Sequence, residues 1–307
     1  MKRDFLTLDG LSRAELEEIL LLAATIKRDL KAGRRESLLA GKTLAMIFEK
    51  PSLRTRVTFE VGMTQLGGYA VYLTPADIRL GERESVADIA RNLDRWVDVI
   101  MARTFLHGTI EELARHARVP VINGLSDLRH PCQVLTDCFT LVERGARLDE
   151  LRIAWIGDGN NVANSWIAAA GRFGFTVAVA CPAGYEPDAA VVAAARAAGA
   201  RIVLTRAVAE AATGADVLYT DTWTSMGQEA EAARRQQDFA AYQVNAEVLR
   251  LARADAVVMH CLPAHRGEEI TGDVIDGPQS VVFDQAENRL HVQKGVLVWL
   301  HNQMAGQ

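Results

Sequence analysis

The sequence predicts an α/β protein with two doubly wound parallel-sheet domains joined by linking helices. The chain has 307 residues, 49% of them hydrophobic, which is enough for two cores of ordinary domain size. Short apolar runs typical of buried strands alternate with segments of helical periodicity. A long helical segment that ends at Gly145 divides this alternation into two series. Strands that alternate with helices in this way predict parallel sheets with right-handed crossovers.

The first series opens with a helix whose start is encoded locally. Ser12 and Glu15 have the spacing of a capping box, Leu11 and Leu16 are placed as a hydrophobic staple, and about 18 helical residues follow. The strands predicted next are 43–48, 70–73, 98–102 and 119–122. The helices predicted between them are a segment that ends at Gly67 and Gly68, a helix that begins at Ser85, and 110–117.

The second series follows a helix predicted over 131–144. Its strands are predicted at 152–156, 175–180, 201–205, 215–220, 256–260 and 280–283. A final helix over about 286–307 is expected to return to the first domain. The predicted domains are therefore 1–145, with that returning helix, and 146–285.

Composition excludes several classes of protein. The chain has 34 basic and 39 acidic side chains, a net charge of −5 and no block of like charges, so nucleic acid is a poor candidate partner. Asp4 and Asp9 interrupt any apolar signal region, and no stretch reaches about 18 consecutive apolar residues, so neither secretion nor membrane insertion is expected. Four cysteines without a C-x-x-C pair favour a reducing cytoplasm.

Polar side chains follow six of the predicted strands. In open parallel sheets, ligands bind beyond the carboxyl ends of the strands. The first of these segments contains Ser52, Arg54, Thr55 and Arg56 at a helix start, which suits a phosphate or a similar dianion. The alternative is an ordinary capped helix with surface arginines. The later strand ends supply Arg103, Asn123 with 130–133, 158–161, 221–227 and 260–266. So many convergent polar groups seldom arise for packing alone.

Three other interpretations are weaker. The segment 157–162 is an incomplete dinucleotide motif, because Val162 occupies the third glycine position and no ribose-binding acid follows at the expected distance. His260, Cys261 and His265 suit a metal site or a thiol nucleophile with its base, but no third ligand cluster or matching triad is evident. Trp223 alone indicates only packing. We therefore predict no metal and no cofactor.

Four motifs taken together resemble the aspartate and ornithine carbamoyltransferase family. They are Ser52-Leu-Arg-Thr-Arg56, His130-Pro-Cys-Gln133, Asp221-x-x-x-Ser-Met-Gly227 and His260-Cys-Leu-Pro263. The first two mark the family, and the last two, with Glu287-Asn-Arg289, resemble its ornithine-specific members. The similarity runs in order over nearly the whole chain. It implies a carbamoyl-phosphate domain, an ornithine domain, and a homotrimer, or a multiple of trimers, with sites at subunit boundaries.

The resemblance also implies roles for individual residues. Those expected at the phosphate are Ser52, Leu53, Arg54, Thr55 and Arg103, with Leu53 contributing its backbone where threonine is more usual. Those expected at the carbamoyl group are His130, Pro131, Cys132, Gln133, Cys261, Leu262 and Arg289. Those expected at ornithine are Asn161, Asp221, Ser225 and Met226. The implied catalytic set is Arg54, Arg103, His130, Gln133, Cys261 and Arg289.

The implied chemistry suits these residue types. Carbamoyl phosphate has a dianionic leaving group and a weakly electrophilic carbonyl, so guanidinium groups and hydrogen-bond donors are needed. The attacking amine of ornithine resembles that of lysine, with a pKa of about 10.4, so its neutral form is scarce at neutral pH. Putrescine or an acylated ornithine is an alternative acceptor. Asp221 and the segment 225–227 argue against this alternative. A dinucleotide-dependent oxidoreductase and a non-catalytic anion-binding regulator are more distant alternatives.

Arg79 departs from the family pattern. It lies two residues before Gly81, where related ornithine enzymes often have a glutamine that is supplied by the neighbouring subunit. Arg79 is expected to contact carbamoyl phosphate across a subunit boundary. The alternative is a solvated loop arginine, since charged residues are common in loops.

Overall fold

The chain forms two compact units in a computed structural model that describes residues 2–225 and 227–306, apart from the side chain of Ala305. Unit 1 consists of residues 1–136 and 287–307, and unit 2 consists of residues 137–286. The first boundary thus lies earlier in the chain than the position 145/146 suggested by the sequence. Each boundary falls within a helix, namely Pro131–Glu143 and Val282–Ala305.

Unit 1 contains a four-stranded parallel sheet. Its strands are β1 (Thr43–Phe48), β2 (Tyr69–Leu73), β3 (Val99–Arg103) and β4 (Val121–Leu125), in the order β2-β1-β3-β4. Its helices are α1 (Arg13–Lys31), α2 (Leu53–Gln65), α3 (Pro75–Ile78), α4 (Val86–Leu93) and α5 (His107–His116), followed by the first part of α6 (Pro131–Glu143). The predicted capping box is confirmed, since Ser12 caps α1 and Glu15 completes the box.

Unit 2 contains a five-stranded parallel sheet. Its strands are β5 (Arg152–Ile156), β6 (Thr176–Ala180), β7 (Arg201–Thr205), β8 (Val217–Thr220) and β9 (Val257–His260), in the order β7-β6-β5-β8-β9. Its helices are α7 (Asn161–Phe173), α8 (Ala189–Ala197), α9 (Val208–Ala212), α10 (Ala232–Phe239), α11 (Ala246–Leu249) and α12 (Gly272–Ile275), before α13 (Val282–Ala305). Short 3-10 helices occur at Leu148–Glu150, Glu229–Glu231 and Ala240–Tyr242.

The strand orders determine where ligands are expected. The sequence order reverses between β1 and β3 in unit 1 and between β5 and β8 in unit 2. Such a reversal leaves a crevice at the carboxyl ends of the two strands, because their following helices lie on opposite faces of the sheet. The central strands β1 and β3 are buried along nearly their whole length, which explains their continuous apolar runs.

The predicted two-sheet α/β class is confirmed, but one predicted strand is wrong. The segment 280–283 is not a strand of the sheet: Ser280 forms only an isolated bridge with Val258, and α13 begins at Val282. Val281 and Val282 are buried whereas Phe283 is 68% exposed. The apolar run that suggested a strand is therefore the entry into a 24-residue helix. Within the described residues, no helix is both long and apolar enough to span a membrane.

Candidate active site

The start of α2 is a site suited to an anion. Ser52 has an extended backbone conformation, and its Oγ accepts a hydrogen bond from the Thr55 amide at 3.3 Å. The first turn of α2 contains no acidic residue, so no carboxylate neutralises the positive end of the helix dipole. Leu53, at the first helical position, is 77% exposed. Its amide and the next one are among the N–H groups that a helix start leaves for a ligand.

Three arginines, Arg54, Arg103 and Arg289, lie near His130 in unit 1. Arg103 is the last residue of β3, His130 directly precedes α6, and Arg289 lies on α13. These three side chains are buried, whereas Arg54 is partly exposed. Burial is the main reason why the pKa of His130 lies well below its ordinary value, and the charges of Arg289, Arg103 and Arg54 lower it further. The imidazole is therefore neutral at neutral pH. The guanidinium groups create a positive field at the carboxyl ends of β1 and β3.

Arg289 is held by several acceptors. Its Nη1 donates to Gln133 Oε1 at 2.6 Å, and its Nη2 donates to Thr55 Oγ1 at 3.2 Å. With the Gln293 amide oriented to match its neighbours, Gln293 Oε1 accepts from Nε at 3.3 Å and from Nη2 at 3.0 Å. A buried guanidinium fixed in this way is preorganised, so it does not need to be ordered when a ligand binds.

Cys132 lies behind this cluster. Its Sγ donates to the Asn123 carbonyl at 3.4 Å, and the side chain is fully buried. Burial raises the pKa of this thiol to about 12, so it stays protonated. Pro131, beside it, is the first residue of α6. Cys132 thus connects the middle of β4 to the start of α6.

Two arginines from the sequence analysis lie outside this cluster. Arg56 forms an ion pair with Glu60 at 3.1 Å and stacks on the Tyr72 ring at 3.9 Å. Arg79 ends α3 in a left-handed conformation with φ of 40°, and its side chain is exposed. The Arg79 side chain makes no hydrogen bond or ion pair with residues 2–225 and 227–306, and only its backbone is hydrogen-bonded.

In unit 2 the candidate residues converge on a carboxylate. Asp221 follows β8 and is 8% exposed. Its Oδ2 accepts from Asn160 Nδ2 at 2.8 Å, and its Oδ1 accepts from the Thr222 amide at 2.8 Å and from Cys261 Sγ at 2.9 Å. These donors hold both carboxylate oxygens in place.

The other residues expected at ornithine flank this carboxylate in sequence. Asn160 caps α7, and Asn161 is the first residue of that helix. Ser225 donates its backbone N–H to Gln228 Oε1 at 3.1 Å. Met226, also expected at this end, lies outside the described residues.

A buried histidine fixes the turn that contains Cys261 and Leu262. Leu262 has a left-handed backbone with φ of 57°, and its amide donates to His260 Nδ1 at 2.9 Å. Because Nδ1 accepts, the proton of the neutral ring lies on Nε2, which donates to Glu269 Oε1 at 3.1 Å. Both ring nitrogens are thus engaged, so His260 does not act as a base for Cys261. The Cys261 thiol instead donates to Asp221.

Sequence reasoning missed the groups that support this turn. The fully buried Glu269 also accepts from the His265 amide at 2.6 Å. Gln285 accepts from the His260 amide at 3.1 Å and donates to Asp137 at 2.7 Å. Nothing in the sequence distinguishes Glu268 from Glu269 as the carboxylate that is buried. Gln285 lies just after the segment 280–283, which was wrongly predicted as a strand.

The candidate residues therefore form two groups. Arg54, Arg103, His130, Gln133 and Arg289 come together in unit 1. Asn161, Asp221, Ser225, Cys261 and Leu262 lie in unit 2. The first group combines fixed positive charge with a neutral donor, which suits a phosphate joined to a carbonyl. The second combines a preorganised carboxylate with amide groups, which suits an ammonium group.

Comparison with known proteins gives matches along nearly the whole chain. Residues 3–143 match the family model described as aspartate/ornithine carbamoyltransferase, carbamoyl-P binding domain, and residues 149–300 match its Asp/Orn binding domain. Ornithine carbamoyltransferase of Methanoculleus marisnigri is 53% identical over 300 residues, which are 98% of this chain and 97% of the relative.

Solved structures also match nearly the whole chain. Ornithine carbamoyltransferase from Pyrococcus furiosus superposes with a TM-score of 0.93 at 51% identity, covering 96% of each chain. A mutant N-acetyl-L-ornithine transcarbamylase complexed with PALAO has a TM-score of 0.87 at 32% identity, covering 97% of this chain and 99% of its own.

Proposed function

The chain belongs to the aspartate/ornithine carbamoyltransferase family, and we propose that it transfers the carbamoyl group of carbamoyl phosphate to the side-chain amine of L-ornithine. The products are L-citrulline and phosphate. The observation that carries this proposal is the cluster of Arg54, Arg103 and Arg289 around a buried, neutral His130. A dianionic leaving group needs that positive field, and a carbonyl needs a neutral donor that stays in place as charge develops.

The phosphate is assigned to the start of α2 and to arginines. The amides of Leu53 and Arg54 and the hydroxyls of Ser52 and Thr55 hydrogen-bond its oxygens, and Arg54 with Arg103 neutralises its charge. Thr55 Oγ1 now accepts from Arg289. It can still donate its own proton to the ligand, because a hydroxyl both donates and accepts.

The carbonyl oxygen is assigned to His130 and Arg289. Gln133 orients Arg289 through the 2.6 Å hydrogen bond. The neutral amine attacks the carbonyl carbon, negative charge develops on the oxygen, and these donors stabilise it. The C–O bond to phosphate then breaks, and a leaving phosphate oxygen accepts the amine proton. Cys261 and Leu262 are assigned to the carbamoyl group as contacts.

The amino-acid end of ornithine is assigned to unit 2. Asp221 and Ser225 bind the α-ammonium group, Asn161 binds the carboxylate, and Met226 is assigned to the same end of ornithine. An N-acetylated ornithine is the second candidate, since one structural neighbour is named for that substrate. Its neutral amide would leave the Asp221 carboxylate without a cationic partner, which costs free energy at a buried position.

A citrulline assay tests this function directly. Purified protein with carbamoyl phosphate is given L-ornithine, N-acetyl-L-ornithine or no acceptor, and the ureido product is measured. We expect product with ornithine at a much higher kcat/KM than with the acetylated compound. Preference for N-acetyl-L-ornithine would replace the proposed substrate, and no product with either would reject the function.

The pH dependence of kcat/KM for ornithine should follow the substrate amine. Burial and three arginines hold the pKa of His130 below 6.5, so this ring stays neutral from pH 6.5 to 8.5 and contributes no rise there. The ornithine amine has a pKa of about 10.4, so its neutral fraction increases roughly tenfold per pH unit over this range. We expect kcat/KM to rise with pH. A flat profile under conditions where chemistry limits the rate would contradict direct attack by the neutral amine.

Cys261→Ser should retain measurable turnover. The thiol donates to Asp221 at 2.9 Å, and a serine hydroxyl provides the same donor. Because ornithine attacks directly, no covalent intermediate at this residue is needed. Steady-state citrulline formation measures the effect, which we expect to be less than about hundredfold, the size of one lost charge-assisted hydrogen bond. Isolation of a carbamoylated Cys261 by mass spectrometry would refute direct transfer.

We propose a homotrimer in which α2 and the edge strand β2 form subunit contacts. On α2, Leu53, Val57 and Val61 are 77%, 44% and 36% exposed, and they repeat every four residues along one face. On β2, Tyr69 is 68% exposed and Val71 is 37% exposed. Exposed apolar side chains grouped in this way indicate an interaction surface. Sedimentation should give an assembly with three times the mass of one chain. The double substitution Val57→Glu and Val61→Glu should lower the mass of the assembly.

Arg79→Ala should raise the KM for carbamoyl phosphate more than the KM for ornithine. The exposed side chain, without a partner among the described residues, is assigned to carbamoyl phosphate on a neighbouring subunit. A charged contact of this kind should weaken as ionic strength rises. Hybrids of Arg79→Ala chains with inactive Arg54→Ala chains should recover sites of wild-type affinity. Unchanged affinity in Arg79→Ala would identify a surface arginine, and hybrids that never recover would place the contact within one chain.

We assign the enzyme to the cytoplasm and to arginine biosynthesis. None of the four cysteines forms a disulfide within the described residues, and Cys132, Cys138 and Cys181 are buried. Cysteines that form no disulfide suit a reducing compartment. Measurement of the chain in fractionated cells tests this assignment.

A further inference from the structure

Lys294 is a buried lysine that the transfer reaction does not use. It lies on α13 and is 1% exposed, and its Nζ donates to Gln65 Oε1 at 2.7 Å. Gly62 on α2 makes room for its stem, since a Cβ there would lie 3.3 Å from Lys294 Cγ. In the described part of the chain, no carboxylate oxygen lies within ion-pair distance of Nζ. The ammonium form is therefore buried with a single neutral acceptor, which is an unfavourable state.

A small cavity gives access to this amine. Its volume is about 50 Å³, and its lining includes Gln65, Lys294 and charged residues near the end of α1. One of these, Asp29, pairs with Arg34 at 2.5 Å; Arg35 and Glu36 also line the wall. About 10 to 15 Å³ of volume measured in this way holds one water molecule, so the cavity has room for a ligand of a few heavy atoms.

The charges around Lys294 favour its neutral form. The pKa of the Lys294 amine is lowered to about 8, mainly because burial removes the amine from water. The positive charge of Arg35 lowers this pKa further. Asp29 is already paired, and the nearby His291 is itself neutral, because burial, Lys294 and Lys27 lower its pKa to about 4. At pH 7 about a tenth of Lys294 is thus neutral and carries a free lone pair beside the cavity.

We propose that Lys294 is a carbamylation site that reacts with isocyanic acid admitted to this cavity. The inference rests on the proposed function to this extent: carbamoyl phosphate, the proposed substrate, breaks down in water to phosphate and isocyanic acid. The lone pair of Nζ attacks the carbon of H–N=C=O and forms a new N–C bond. The C=N π electrons move to nitrogen, which takes the proton that Nζ sheds. No group leaves, and Lys294 becomes a neutral ureido side chain.

Potassium cyanate is the probe, applied to the full chain in its native assembly. Carbamylation of each lysine is followed by mass spectrometry after digestion, and Lys31, which is 61% exposed, is the internal standard. At pH 7.0 the neutral fraction of Lys294 should exceed that of an ordinary exposed lysine by about 200-fold, which its weaker basicity partly offsets. With this offset included, we expect Lys294 to react at least about fivefold faster than Lys31.

The pH trend separates an activated amine from mere accessibility. The rate at Lys294 should level off above pH 8, near its pKa, whereas the rate at Lys31 should keep rising. The ratio of the two rates should therefore fall at least about tenfold between pH 7.0 and 9.5. The protonation of cyanate affects both residues equally and cancels in the ratio. A ratio below one at pH 7.0, or one that does not change with pH, would overturn the proposal.

Two matched variants complete the test. Gln65→Glu gives Nζ an ionic partner, which favours the ammonium and should lower the rate at Lys294 at least about tenfold at pH 7.0. Gln237→Glu, on an exposed position of α10, adds the same charge elsewhere and should leave the rate unchanged. If Gln65→Glu reacts like the wild-type chain, the proposal is wrong. Cyanate labelling needs no turnover, so failure of the citrulline assay and failure of this proposal are distinguishable.

Discussion

Putrescine should be carbamoylated with a kcat/KM about 10⁴ below that for L-ornithine. Putrescine has the same reacting amine but lacks the α-ammonium and α-carboxylate groups. Asp221 is 8% exposed, and donors from Asn160, Thr222 and Cys261 fix its carboxylate. A site organised around a buried charge loses free energy when the ligand provides no counter-charge. Parallel assays of N-carbamoylputrescine and citrulline measure the ratio.

Asp221→Asn provides the matched control for this discrimination. The amide keeps the size of the side chain and removes its negative charge, so kcat/KM for ornithine should fall while that for putrescine changes little. The ratio of the two kcat/KM values should narrow by at least about tenfold. A change of this size corresponds to the loss of one charge-assisted hydrogen bond. Equal kcat/KM values for both acceptors in the wild-type enzyme would show that the ornithine assignment is wrong.

The core of each sheet was predictable because its signals are local. The strands Thr43–Phe48 and Arg152–Ile156 have the predicted ends, and after its polar first residue each is a continuous apolar run. A strand buried on both faces needs such a run wherever it lies in the chain. The segment 280–283 has the same local pattern but begins a helix. Its environment is set by distant parts of the chain, and apolar periodicity over four residues does not distinguish strand from helix.

The candidate site was predictable to the extent that it follows strand ends. Arg103, Asp221 and Cys261 each come at or directly after a strand, where a parallel sheet directs ligand-binding groups. The residues that hold them in place gave no such signal. Glu269 reaches His260 across nine positions, and Gln285 reaches it across 25. Hydrogen bonds between segments so far apart depend on tertiary structure, which short patterns do not encode.

Arg54→Lys should lower kcat/KM for carbamoyl phosphate at least about tenfold, and Arg54→Met about a hundredfold or more. The guanidinium is one of three that lower the pKa of His130, which places its charge near that ring, at the start of α2. Its planar pair of donors matches two phosphate oxygens, whereas an ammonium provides a point charge in another position. Steady-state kinetics with saturating ornithine measure the change.

Arg56→Lys is the matched control, two residues further along the same helix. The Arg56 guanidinium is engaged by Glu60 at 3.1 Å and by the Tyr72 ring at 3.9 Å, so it is not directed to a ligand. An exposed ion pair of this kind contributes at most about 1 kcal/mol to stability, and the variant should keep kcat/KM within about threefold of wild type. Wild-type kinetics in Arg54→Lys would remove this residue from the phosphate site. Equal losses in both variants would mean that α2 tolerates no substitution at its start, and that neither arginine has a specific role at the phosphate.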